Sequence, residues 1–264
     1  MNEITGKTKL YAIVADPILQ VKTPQNLNRL FGERGIDAIL VPMQVPASGL
    51  ERWVAAMREV INFGGMVVTV PHKTAIARLC DALTPAAAMV GAVNVIRREP
   101  DGRLVGDILD GRGFVAGLRT NGIEPAGMRA YLAGAGGAAN AIAFSLAEAG
   151  VSLLTIHNRT RAKVEEMITR LRKAYPGVDL RVGSDDPSGH ELVVNATSLG
   201  MVEGDPYPLD VTALNPAQTV AEIIMRPEMT PLLVAARGLG CRIQLGMPML
   251  AAQVDLMAHF MGAL

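Results

Sequence analysis

Apolar runs of strand length alternate with longer stretches of helical period along the chain, and this alternation is what most limits the folds open to it. Parallel strands need crossover connections, and those crossovers lay helices over the faces of the sheet. Residues 10–15 (LYAIVA), 38–45 (AILVPMQV) and 65–70 (GMVVTV) read as strands. Helical spacing runs from Thr23-Pro24 through Leu30 and again over 50–63 (LERWVAAMREVINF). The stretch 93–109 reads as a hairpin that turns at Asp101-Gly102, and a Gly-punctuated helical segment follows it. A second series of strands then begins: YLAG, LLTIHN, ELVVNAT, TVAEII and RIQLG.

The break in pattern near Asp110 to Gly113 marks a domain boundary. We expect an α/β protein of two domains, one formed by residues 1–109 plus 246–264 and the other by residues 110–245. The helix-like LAAQVDLMAHFMGAL returns the chain to the first. Half of the 264 residues are hydrophobic and 19% are charged, a balance that excludes a disordered chain. Lys and Arg together number 25, as do Asp and Glu, so no net field recruits nucleic acid or an acidic membrane. The basic stretch 159–173 includes Glu165 and Glu166 at helical spacing and reads, beyond its first residues, as a solvated helix face.

Cys80 and Cys241 have no ligand-like spacing, so neither a disulfide framework nor a metal site is expected. Asp16-Pro17 interrupts the first apolar run, and no run reaches the roughly 18 apolar residues of a membrane span. The expected compartment is the cytoplasm.

The stretch 131–150, YLAGAGGAANAIAFSLAEAG, places Gly134, Gly136 and Ala139 between a strand and an Ala-rich helix. That is the G-x-G-x-x-G/A pattern in the setting it requires. The first glycine permits a tight turn, the second lets the backbone approach a pyrophosphate, and the small third residue lets helix and strand pack closely. Residues 110–245 therefore read as a Rossmann-type domain, with Gly134, Ala135, Gly136, Gly137 and Ala138 at a dinucleotide. An NAD enzyme carries Asp or Glu at the end of the next strand, to accept from the ribose 2′-hydroxyl. Here LLTIH ends in Asn158, Arg159, Thr160 and Arg161, where a guanidinium pairs with a 2′-phosphate, so the expected cofactor is NADP.

Lys73 follows an apolar strand and Pro71, and Asp110 stands at the domain boundary. By position alone Lys73 reads as a surface cation and Asp110 as a helix N-cap. The competing reading, which position and spacing do not by themselves establish, is a proton carrier and a carboxylate that orients it. His72, His157, His190 and His259 are scattered and read as packed or surface histidines.

VTVPHK (68–73), GAVNVI (91–96), GDILDG (106–111), GAGGAA, NRT, NATSLGM (195–201), TPLL (230–233) and GMPMLAAQ (246–253) occur together and in order. With these motifs, over nearly its whole length, the chain resembles the shikimate dehydrogenase family. The resemblance implies a three-layer α/β substrate domain beside the Rossmann-type domain, with the active site in the cleft between them. It implies an NADP-dependent oxidoreductase of aromatic amino acid biosynthesis that moves hydride between cofactor and a ring hydroxyl or ketone, with Lys73 and Asp110 as the catalytic pair. Thr69, Asn94 and Gln253 would face the substrate, Asn158, Arg159 and Thr160 would hold the adenosine phosphate, and Thr197, Ser198 and Gly246 would line the nicotinamide side.

Departures from the family cluster at the substrate. Its Ser-x-Ser reads Val21-Lys22-Thr23 here, keeping one hydroxyl at Thr23. Val67 stands for an asparagine, Ile108-Leu109 for Asn-Thr, and Met225 for a tyrosine. An apolar wall leaves a buried substrate hydroxyl unpaired at a cost of about 1–3 kcal/mol each, which points to shikimate/3-dehydroshikimate or a less polar analogue as substrate. In the opposing reading these residues point into the core and Gln20, Lys22 or Asn28 make the contacts. A further alternative is a non-catalytic NADP(H)-binding sensor or regulatory relative. The expected partner is a small cyclic alcohol or hydroxy acid, with no nucleic acid and no membrane, and the expected assembly is a monomer or homodimer.

Overall fold

Two six-stranded sheets organise the protein, one in each of two units. The structure, a computed structural model, describes residues 3–264. One unit comprises the chain up to Leu109 together with Gln253–Leu264, and the other comprises Asp110–Ala252.

The first unit runs β1 (Lys9–Ala15), α1 (Thr23–Glu33), β2 (Ala38–Gln44), α2 (Leu50–Glu59), β3 (Phe63–Val68), α3 (Lys73–Ala77), β4 (Ala82–Leu83), α4 (Pro85–Val90), β5 (Val95–Arg98) and β6 (Leu104–Asp107). Its sheet order is β2-β1-β3-β5-β6-β4. β1 pairs in parallel with β2 and β3, β3 with β5 is antiparallel, and β5 with β6 is antiparallel as the two arms of the hairpin expected over 93–109. Leu27, Leu30 and Phe31 on one face of α1 bury against Tyr11 and Ile13 of β1 and Leu40 of β2. Each such side chain contributes about 1.5–3 kcal/mol relative to its exposed state.

The second unit runs α5 (Asp110–Thr120), β7 (Arg129–Ala133), α6 (Gly137–Glu148), β8 (Leu153–His157), α7 (Arg161–Ala174), β9 (Asp179–Val182), β10 (Leu192–Asn195), β11 (Thr219–Glu222), α8 (Pro231–Gly238), β12 (Arg242–Gln244) and the first part of α9 (Met247–Phe260). All strand pairings here are parallel, in the order β12-β11-β10-β7-β8-β9. Read from β7, the chain builds outward to β9 on one side and then to β12 on the other. This is the Rossmann order, with its reversal point between β7 and β10. The basic stretch is α7, whose Val164, Met167, Ile168 and Leu171 bury one face and leave the charges outside.

The chain rejoins the first unit within α9, at Gln253. Residues 246–252, expected in the first domain, group with the second. Gly246 lies against the backbone of Ile223 and Ile224, and Pro248 lies against Gly117 of α5, which holds this stretch to the second unit. Among the described residues, no helix is long and apolar enough to cross a membrane.

Candidate active site

In the first unit, the segment after β3 is fixed at each step before Lys73. Thr69 N–H donates to the Val14 carbonyl at 3.1 Å, and His72 N–H donates to the Thr69 carbonyl at 3.0 Å. His72 is buried, and its Nε2 bonds the Val45 carbonyl at 2.8 Å, so this histidine anchors the loop. Lys73 opens α3, is half-buried, and accepts from Val93 N–H at 2.9 Å through its own carbonyl.

The chain leading to Asp110 is held as firmly. At the end of β6 the buried Asp107 carboxylate accepts from the Thr84 hydroxyl and, at 2.8 Å, from Ile108 N–H. Asn94 Oδ1 accepts from Leu109 N–H at 2.8 Å, while Asn94 N–H donates to the Asp107 carbonyl at 2.9 Å. Thr84 also caps α4 through Ala87 N–H, so one hydroxyl ties that helix to the carboxylate. Asp110 then begins α5 and is 5% exposed.

Thr23, Thr69 and Gln253 differ from these residues: none of their side chains hydrogen-bonds to a described residue. Gln253 is only 4% exposed and Thr23 only 6%, yet neither has a side-chain polar atom that is both buried and without a partner, so their polar ends reach solvent and are open to a ligand. Val67 and Leu109 belong to a core cluster with Tyr11, Ile13, Val95 and Val254, and Val21 packs against its margin. Ile108 is buried and Met225 half-buried. The alternative substrate contacts are mostly occupied. Gln20 donates to the Pro17 carbonyl at 2.7 Å, and Asn28 bonds both backbone groups of Leu40, leaving half-buried Lys22.

In the second unit, Ala133, Asn195, Glu222 and His157 end neighbouring parallel strands in register, and the loops that follow them share the carboxyl edge of the sheet. Gly134 has φ +121°, and a β-carbon there would lie 2.7 Å from the Ala196 carbonyl oxygen, so the turn admits only glycine. Gly136 caps α6 without a side-chain bond, and a β-carbon on Gly136 or Gly137 would meet open space. Ala138 is half-buried, Ala135 is buried, and Ala139 packs α6 against the sheet at 0% exposure. Uncapped N–H groups, a helix dipole and open space above exposed glycines fit the pyrophosphate of a dinucleotide.

Asn158 Nδ2 donates to the Thr160 carbonyl at 3.2 Å and shapes the turn into α7, on which Arg159 and Thr160 are exposed. Arg159 makes no ion pair among the described residues, whereas Arg161 Nε pairs with Glu165 Oε1 at 2.8 Å. Arg159 is thus the cation more open to a 2′-phosphate.

Beneath the loop after β10, Asn195 Oδ1 accepts from Thr197 N–H at 3.0 Å and from the Thr197 hydroxyl at 2.7 Å. Ser198 is exposed on the same loop. Asn195 Nδ2 donates to Glu222 Oε2 at 3.0 Å. That carboxylate is wholly buried and also accepts from the Thr230 hydroxyl at 3.0 Å, Ile223 N–H at 3.0 Å and Ile224 N–H at 3.3 Å. Burial pushes its pKa up, and the donated hydrogen bonds oppose the rise.

A model of the shikimate dehydrogenase substrate binding domain matches residues 13–96. Over 259 residues the chain is 38% identical to the NADP(+) shikimate dehydrogenase of Geobacter metallireducens, covering 95% of this chain and 90% of that one. The chain belongs to the shikimate dehydrogenase family. Among solved structures, the ligand-free 5-ketofructose reductase of Gluconobacter sp. strain CHM43 superposes with a TM-score of 0.88 at 31% identity, over 97% of this chain and 93% of that one. Shikimate 5-dehydrogenase of Listeria monocytogenes, solved with shikimate and NAD, gives 0.87 at 29% identity over 98% of each chain.

Membership of the shikimate dehydrogenase family accords with the α/β class, the Rossmann-type unit and NADP as the cofactor expected from the sequence. Two buried carboxylates with several donors each, Asp107 and Glu222, were not legible as such in the sequence. Asp107 lay inside a quoted motif without a role, and Glu222 was one letter of the strand-like TVAEII. The available signal for Glu222 was a lone carboxylate inside an apolar strand at the sheet's carboxyl end, where a buried charge needs several donors.

Proposed function

We propose that this chain is an enzyme that transfers hydride between NADP(H) and a ring CH–OH, interconverting a hydroxyl and a ketone of the shikimate/3-dehydroshikimate type. The supporting observation is identity at 38% over 95% of the chain with a protein named for that activity and that cofactor. When bound, NADP(H) supplies or takes up the hydride. The glycines at 134, 136 and 137 and the N–H groups opening α6 hold the pyrophosphate, and Arg159 holds the 2′-phosphate. Thr197, Ser198 and Gly246 line the nicotinamide side.

We assign Lys73 and Asp110 as the catalytic pair, Lys73 carrying the hydroxyl proton and Asp110 orienting it. Thr23, Thr69 and Gln253 offer the substrate polar groups that no other described side chain engages. Asn94 orients the approach to Asp110 through Leu109 and faces the substrate beside it.

A less polar analogue is the second reading. It draws on the apolar residue types that stand at 21, 67 and 109. The sensor reading has no observation in its favour. We place the enzyme in the cytoplasm, as a monomer or homodimer.

The test is a spectrophotometric screen of shikimate, quinate and less hydroxylated cyclic alcohols with NADP+, and of 3-dehydroshikimate and 5-ketofructose with NADPH. Turnover of shikimate above the others supports the main reading, and preference for a less polar compound supports the second. NADPH binding without turnover of any compound would return the sensor.

A further inference from the structure

Glu222 lies outside every role given above, yet it is the group on which the nicotinamide half of the proposed cofactor site converges. Each of its bonding partners is a donor: Asn195 Nδ2, the Thr230 hydroxyl, and the N–H groups of Ile223 and Ile224. Asn195 Nδ2 and the two backbone N–H groups can only donate, and the Thr230 hydroxyl donates while its oxygen accepts from Leu233 N–H, so the set suits a carboxylate better than a neutral acid or an amide.

The donors belong to different segments. Asn195 ends β10 and holds Thr197, the residue after Ala196, whose carbonyl closes over Gly134. Thr230 caps α8 by accepting from Leu233 N–H at 3.3 Å. Ile223 and Ile224 carry the backbone against which Gly246 is packed so closely that a β-carbon there would strike the Ile224 carbonyl. One side chain therefore ties the loop after β10 to the segment after β11, to the start of α8 and, through Ile224, to Gly246.

Resting on the NADP-dependent reading above, we propose that Glu222 is a positioning residue that sets the nicotinamide half of the cofactor site, while the adenosine half is independent of it. The adenosine half is built from β8, the turn at Asn158 and the start of α7, none of which bonds to Glu222.

The test compares wild type with Glu222→Gln and Glu222→Asp. Gln keeps the shape but turns an N–H donor toward donors, and Asp keeps the charge but draws it back by a methylene. Binding of NADP+, and of adenosine 2′,5′-bisphosphate as probe for the adenosine half, is measured by calorimetry, and kcat and KM are measured where the wild type turns over.

For Glu222→Gln we expect bisphosphate affinity within about twofold of wild type, NADP+ affinity lowered about tenfold, and kcat lowered by at least as much. Asp should fall between Gln and wild type. Wild-type NADP+ affinity and kcat in a folded Glu222→Gln variant would overturn the proposal, as would an equal loss of bisphosphate and NADP+. If the Gln variant does not fold, the same split in the Asp variant decides. If wild type binds NADP+ but turns over none of the screened compounds, the proposed reaction fails, and Glu222 is judged on the two affinities alone.

Discussion

Arg159 and Arg161 are both exposed arginines at the start of α7, but their surroundings differ. Arg161 must leave Glu165 to meet a phosphate, and Arg159 has no competing carboxylate among the described residues. Arg159→Ala is therefore expected to raise KM for NADP+ by about 10-fold to 100-fold and leave NAD+ nearly unchanged, as a charged hydrogen bond of about 1.5–3 kcal/mol requires. Arg161→Ala should cost less, and equal losses in steady-state assays would count against this ranking. Cys80 gives a pH-dependent prediction. Burial pushes its thiol from the ordinary 9.0 up to about 11, with Arg58 pulling down and Asp81 pushing up by smaller amounts. A raised folded pKa keeps the thiol protonated, so stability from this group is full below 9.0 and is lost as pH rises toward about 11. Alkylation near neutral pH should run more slowly than for a free thiol and climb with pH, since the thiolate is the nucleophile. At this scale the sequence exposed residues whose identity is unusual for their place, such as Lys73 after a buried strand or the arginines after β8. It hid Glu222 and Asp107, whose importance comes from donors brought in from distant parts of the chain.

Among the elements, α5 and α6 meet closely at Gly111, where a β-carbon would strike the Ala141 carbonyl and the Ser145 hydroxyl. Gly111→Ala gains about 1 kcal/mol of helix propensity but forces one helix backbone off the other, so a net destabilisation of about 2–3 kcal/mol is expected in denaturant unfolding. An unchanged midpoint would contradict so close a packing. The long, strongly periodic elements were readable in advance, and their ends were less so. Helical spacing over 50–63 includes Phe63, but α2 stops at Glu59 and Val60 turns extended, because Phe63 is 1% exposed as the first residue of β3. That strand ends at Val68, leaving Thr69 and Val70 in the loop that carries His72 and Lys73. β4 has two residues, and β9 alternates exposed Asp179 and Arg181 with a single buried leucine, so neither presents a run that periodicity detects. Both depend on neighbours already in place, β6 and β8, for their pairing.

At the scale of the whole molecule, two sheets of different topology each anchor part of the proposed site. The unit with the mixed sheet carries Lys73, Asn94 and, without a hydrogen-bonded side chain among the described residues, Thr23 and Gln253, and the unit with the parallel sheet carries the glycine turn, Arg159 and the loop bonded to Glu222 through Asn195. The parallel order was implied by the alternation of strands and helices. The return of the chain through its last helix was expected too, but its position inside α9, at Gln253, was not, because a continuous helix shows no break where its packing partner changes. The central claim is that this architecture serves a hydride transfer in which Lys73 carries the substrate proton, and the direct measurement is NADP+ reduction with shikimate by wild type and Lys73→Ala, alongside NADPH affinity by fluorescence titration. In Lys73→Ala kcat should fall by about 10² to 10⁴-fold while NADPH affinity stays within about twofold. A Lys73→Ala variant that retains most of its turnover would contradict it.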